Sequence, residues 1–179
     1  MTQEIKELIR TENPARLSRQ LRHGRSSYLE NRRNIVVTSL TAISAMGLIS
    51  LYQTGVIGGL PDLPLPYMNS DKVDAAEQAY SRLDMPDAPL GINSYATTLM
   101  LAAMGGKHRD REKSWLPLLL LVKTLFDAGQ AGKLTADQWL RHRAFCIWCL
   151  VAAVATFISV PLAIPEAMSA LRHLMRRRL

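Results

Sequence analysis

Cysteine is almost missing from this chain: there are only Cys146 and Cys149, three residues apart. So few exclude a disulfide framework and leave redox chemistry, metal binding or inert packing as uses of the thiols. Aromatic residues are scarce as well, at 6%. None stands beside the basic "RRR" of the tail, so a base-stacking surface is lacking there and nucleic acid is not an expected partner. The N-terminus opens on charged "MTQEIKELIR" rather than an apolar run, and no cleavable signal peptide is expected. Internal repeats and low-complexity tracts are also missing.

What the chain does have is segregation. Its 48% hydrophobic residues are gathered into four blocks, at about residues 34–58, 88–104, 115–132 and 145–165. Crossing a bilayer takes roughly 20 residues in helix, so each block is read as a span. The expected fold is therefore all-α: a polytopic membrane four-helix bundle, with a soluble helical bundle as the competing reading. Charge sorts around the blocks. Eight Lys/Arg precede residue 34, four lie in "KHRDREK" and four in "RHLMRRRL", whereas 59–87 sets Lys72 and Arg82 against six acids. That alternation follows the positive-inside rule, placing both termini and the 105–114 loop in the cytoplasm of a bacterial-type plasma membrane. The net charge of +7 is then topogenic, touching anionic headgroups. Three regions result: a basic arm over 1–33, a membrane domain over 34–165 and a basic tail over 166–179.

Local signals fill in the rest. Ile5, Leu8 and Ile9 recur at helical spacing, making the arm amphipathic. Asn13–Pro14 suits a cap and first-turn proline, Gly24 a stop, and Ser27 with Glu30 a capping box that starts the first span. "GGLPDLPLPYMNS" predicts an extended outer connector, because its prolines forbid regular helix. Val73, Ala76, Tyr80 and Leu83 then predict one short helix on the outer side. Pro161 and Pro165 are expected to bend or end the fourth span.

The dithiol stands where the charged "RHR" meets the fourth apolar block. On a helix, Cys-x-x-Cys puts both sulfurs on one face, and a loosely bonded first turn lets them close to a disulfide. The free N–H groups of that turn, with Arg141 and Arg143 just before it, favour a thiolate at Cys146, and Cys149 is expected to lie deeper. Trp148 is an interfacial anchor by type. His142 completes an HxxxCxxC set of three candidate zinc ligands; a closed structural site wants four, so no metal is expected. Inert packing stays open beside redox chemistry.

Together with the dithiol, "SDKVDAAEQAYSRLDMPDAPLGINSY" resembles the vitamin K epoxide reductase family over about residues 34–165, through Val73, Ala75, Ala76, Tyr80, Pro86, Gly91 and Tyr95. The resemblance implies a four-span bundle with its CxxC at the outer end of the fourth span, facing a quinone pocket. It implies that Cys149 reacts with a quinone of the ubiquinone or menaquinone class, while Cys146 exchanges with an outer thioredoxin-like dithiol carrier. Asp87, Gly91, Tyr95 and Trp148 would belong to the pocket. The chain departs from the family where two loop cysteines normally relay electrons: Ser70 stands at the second, and 60–69 has none for the first. Ala153 replaces a tyrosine found in animal members.

Lys123 and Asp127, one turn apart inside the third block, are either a proton path or headgroup contact for the quinone or a self-neutralising pair facing other helices. Two functions follow from these observations. One is a membrane thiol–quinone oxidoreductase. The other is a redox-inactive accessory subunit docked through its basic arm and tail in a larger membrane complex, of the kind that handles quinones or photosynthetic electron transfer.

Overall fold

The computed structural model describes residues 14–80 and 85–178, and every regular element among them is helical. In chain order these are α1 (Pro14–His23), α2 (Ser27–Gln53), α3 (Ser70–Asp74), α4 (Asp87–Ala103), α5 (Arg109–Glu112), α6 (Trp115–Asp137) and α7 (Ile147–Arg178). A 3-10 turn covers Glu77–Tyr80, and a π-helical turn, Gln138–His142, extends α6. The sole β feature among the described residues is an isolated bridge between Met68 and Phe145. The helix expected around Ile5, Leu8 and Ile9 lies outside the described residues.

Several boundaries correct the sequence reading. The first long helix is capped by Ser26, whose hydroxyl accepts the Leu29 N–H at 3.2 Å, rather than by a Ser27–Glu30 box. Gly24 leaves no choice of side chain: a Cβ there would lie 2.3 Å from the Gln20 carbonyl oxygen. The outer helix expected through Val73, Ala76, Tyr80 and Leu83 is broken. α3 closes at Asp74, a 3-10 turn follows, and Leu83 is outside the described residues. Pro161 and Pro165 sit inside α7, which runs unbroken to Arg178. Around them Ala163, Glu166 and Ala167 are buried, so packing holds the helix together across the hydrogen bonds that proline removes.

α2 packs on α4 and α7, and α6 packs on α7; of the neighbouring pairs around the bundle α4 and α6 touch least, leaving a seam. Small residues allow the close central contact: Ala42 and Ala45 of α2 meet Ala152 and Ala155 of α7. Toward one end Ile35, Leu101, Ala102, Leu116, Leu120 and Ala163 form an apolar plug. Toward the other, Ile49, Leu60, Val73, Ala88 and Ala144 surround Cys146.

Two helices, α2 and α7, are long and apolar enough to cross a membrane. Only 28% and 33% of their most apolar windows is buried by the rest of the protein, far less than a soluble core helix would be. Val37 and Leu40 on α2, with Phe157 and Ile158 on α7, face outward. α4 has 17 residues, and α6 carries Lys123 and Asp127.

The basic segments meet at the plug end. Arg32 is buried, and its guanidinium donates to the carbonyls of Ala102, Ala103, Met104, Gly105 and Gly106, satisfying the C-terminal end of α4. Gly105, at φ +81°, makes that turn possible. Arg109, wholly buried, grips Glu166 with two hydrogen bonds of 2.8 and 2.7 Å and donates to the Leu101 and Met104 carbonyls.

Candidate dithiol site

At the opposite end, the chain between α2 and α3 folds over the start of α7. Phe145 N–H donates to Tyr67 O at 2.7 Å and Asn69 N–H to Phe145 O at 3.0 Å, forming the isolated bridge. Trp139 stacks on Phe145 and meets Tyr67 edge-on, each at 5.6 Å between centroids. Asn69 caps α3 through its side-chain oxygen. Ser70, fully buried, donates its hydroxyl to Asp62 and accepts the Ile147 N–H at 3.2 Å. The serine thus bolts the outer connector onto the first residue of α7.

Beneath that bolt lie the thiols. α7 begins at Ile147, so Cys146 stands just before the helix and its Sγ accepts the Cys149 N–H at 3.2 Å, the geometry of an N-cap. Cys146 is fully buried just before α7, and Cys149, further along the helix, is half-buried where it meets the cavity. Arg141 and Arg143, expected to face the thiol, have other partners: Arg141 pairs with Asp137 at 3.5 Å, and Arg143 lies over Trp139 at 5.3 Å.

The structure adds a residue that sequence reasoning missed. Asp74, at the end of α3, is 4% exposed, and its Oδ1 accepts the Cys149 thiol at 3.5 Å. Its Oδ2 has no hydrogen-bond partner among the described residues. Burial pushes the carboxyl up to about 6, nearby Asp87 adds to the rise, and the thiol hydrogen bonds offset part of it. Ligand atoms of Asp74, Cys146 and Cys149 all lie within 4.8 Å of one another. The two sulfurs can therefore close on each other after side-chain rotation. The same trio could hold a soft metal with an open fourth position; His142 is not part of it.

Cys149 and Asp74 open onto a cavity of about 300 Å³ in the seam between α4 and α6. Its walls include Asp87, Gly91, Tyr95, Asp127 and Ala153, while Cys146, Lys123 and Trp148 are not among them. Gly91 gives it width, since a Cβ there would meet Met46 Sδ at 2.9 Å. Gln53 fixes Asp87 by a 2.8 Å bond and accepts the Ala88 N–H, holding the start of α4. Trp148 points the other way and donates to Pro61 O at 3.0 Å. Gln130 contributes a second buried, unpartnered oxygen to the wall.

Lys123 and Asp127 pair at 2.6 Å, and Asp127 also accepts the hydroxyls of Ser94 and Thr98. Deeper, between all four long helices, a void of about 10 Å³ is lined by Thr38, Ser39, Tyr95, Thr98, Thr156 and Ser159. That is room for about one water among several hydroxyls. Thr38 and Ser159 bond at 2.7 Å and Thr156 to Tyr95 at 3.1 Å, so the polar interior continues from the cavity to mid-bundle and stops at the plug.

A cavity of this size with mainly apolar walls and two orphaned oxygens suits a flat, apolar ligand with polar edges. The sequence model of the vitamin K epoxide reductase family matches residues 33–164, nearly three quarters of the chain. No curated protein matches the chain.

Proposed function

The chain belongs to the vitamin K epoxide reductase family, and on that premise we propose that it is a membrane thiol–quinone oxidoreductase working through Cys146 and Cys149. The carrying observation is that Cys149 and the unpartnered Asp74 oxygen share the wall of one quinone-sized cavity. Asp74 takes the Cys149 proton, and the thiolate passes its electrons to the quinone. Cys146 then closes onto Cys149 as its own proton leaves. The dithiol loses two electrons and two protons, and the quinone gains them as hydroquinone. Asp87, Gly91, Tyr95 and Asp127 shape the pocket; Lys123 holds Asp127 in place through its hydrogen bonds, and Trp148 anchors the outer cap.

In this reading α2, α4, α6 and α7 are four spans of a bacterial-type plasma membrane. Both termini are cytoplasmic, because the basic segments gather at the plug end. The acceptor is of the ubiquinone or menaquinone class, and the donor an outer thioredoxin-like dithiol. A second reading has its own observation. Ser70 occupies the family's relay position and is committed to Asp62 and Ile147, which favours an accessory subunit that handles no external thiol.

The deciding experiment uses pre-reduced protein in lipid or mild detergent. Quinone is added and free thiols are counted by maleimide gel shift. Oxidoreductase activity requires quinone-dependent loss of both thiols, absent in Cys149→Ala. Thiols that persist with every quinone tried reject it in favour of the accessory role.

A further inference from the structure

At the plug end a second hollow, a groove of about 730 Å³, lies between the start of α2, α5 and the last turns of α7. Arg111, Arg172 and Arg176 line it with Tyr28, Ser169 and His173. No acidic side chain is among its walls, and none of the three arginines is in an ion pair among the described residues. This is unlike the neighbouring buried Arg109, which is saturated by Glu166 and carbonyls. His173 Nε2 is buried without a hydrogen-bond partner among the described residues. Asp110, which contacts the wall residue Ser169, is itself buried and takes the serine hydroxyl at 2.8 Å.

Such a lining suits an anion, and its position says which kind. The remaining wall is Pro165 and Met168, and Met168 is 42% exposed. From there the exposed apolar flank of α7 continues through Ile164, Ile158 and Phe157. A ligand with a charged head and apolar tails matches both parts, whereas free phosphate matches only the first.

We infer that this groove binds the phosphodiester headgroup of an anionic phospholipid, with Arg111, Arg172 and Arg176 around the phosphate and the acyl chains laid along α7. The inference rests on the membrane reading above and is independent of the dithiol, whose activity can succeed or fail without it.

The test titrates the full-length protein in detergent with phosphatidylglycerol or with phosphatidylcholine of the same chains and counts bound lipid by native mass spectrometry. Phosphatidylglycerol is expected to be retained preferentially. The R111Q/R172Q variant should bind it about fivefold more weakly for each arginine removed, with thermal unfolding unchanged. Equal retention of the two lipids overturns the assignment, as does unaltered binding in a folded variant. An arm with millimolar inorganic phosphate separates the two sources of the anion. Persistent lipid is expected, and complete displacement by phosphate rejects the lipid. Should the double variant fail to fold, R176Q alone is read in the same way.

Discussion

The two ends of the helix bundle each bury charge, and they treat it in opposite ways. At the plug end Arg32 and Arg109 are surrounded by acceptors, six backbone carbonyls among them, and a bidentate carboxylate. At the dithiol end an Asp74 oxygen and a Gln130 oxygen have no partner among the described residues, and neither cysteine is in a disulfide. Buried polar groups are normally satisfied, so an end where they are not is held for something that arrives. Saturation marks the Arg32–Arg109 core of the plug end; incompleteness marks the dithiol cavity and, at the rim of the plug end, His173 of the arginine groove.

The sharpest way to break this comparison is at Glu166. Glu166→Ala leaves Arg109 buried and unpaired, and unfolding in mild detergent should show a loss of about 3–5 kcal/mol. A loss near zero would mean the plug end is not structural in this sense. Asp74→Asn should act the other way, slowing quinone-dependent thiol loss by about a hundredfold while leaving the fold as stable or more so at neutral pH. The pH dependence follows from the same group. Its folded value of about 6 lies above the ordinary 3.8, so the folded protein holds this proton longer than the unfolded chain does. The stabilisation is full below the unfolded value and is lost as pH rises through about 6, to the extent of about 3 kcal/mol. Chemical unfolding measured across that window should slope downward in the parent and flatten in Asp74→Asn; parallel slopes would remove Asp74 as the source. Ser70→Ala leaves Asp62 and the Ile147 N–H short of a partner, and about 1–2 kcal/mol of stability should go with them in the same assay. Smallest is Ser26→Ala, a cap at the plug end away from any chemistry, at about 1 kcal/mol and with thiol reactivity untouched.

The long helices were legible because hydrophobic blocks and charge clusters are properties of contiguous sequence. The cap shifted from Ser27 to Ser26 because a one-residue slip keeps the same residue types in view. Pro161 and Pro165 misled because their local effect was outweighed by tertiary burial around Glu166. Cys146 and Cys149 announced themselves by spacing, and Asp87, Gly91, Tyr95 and Asp127 do reach one cavity with Cys149. Asp74 was counted only as one more outer acid. Its burial depends on the connector folding back through Ser70, a long-range event that no periodicity encodes. The Arg109–Glu166 pair, 57 positions apart, was hidden for the same reason.

The apolar plug has a consequence for bioenergetics. Polar atoms descend from the cavity to Thr38 and Ser159 and resume only at Arg32 and Glu166. Along α2 the gap from Thr38 to Arg32 is about 9 Å of helix rise, filled by Ile35, Leu101, Leu116 and Leu120. In the proposed reaction, protons for a quinone in the cavity would come from the side that holds the dithiol, where thiol oxidation releases the same number. Turnover would be electrically silent, shifting redox equivalents into the quinone pool while neither drawing on nor building the membrane potential.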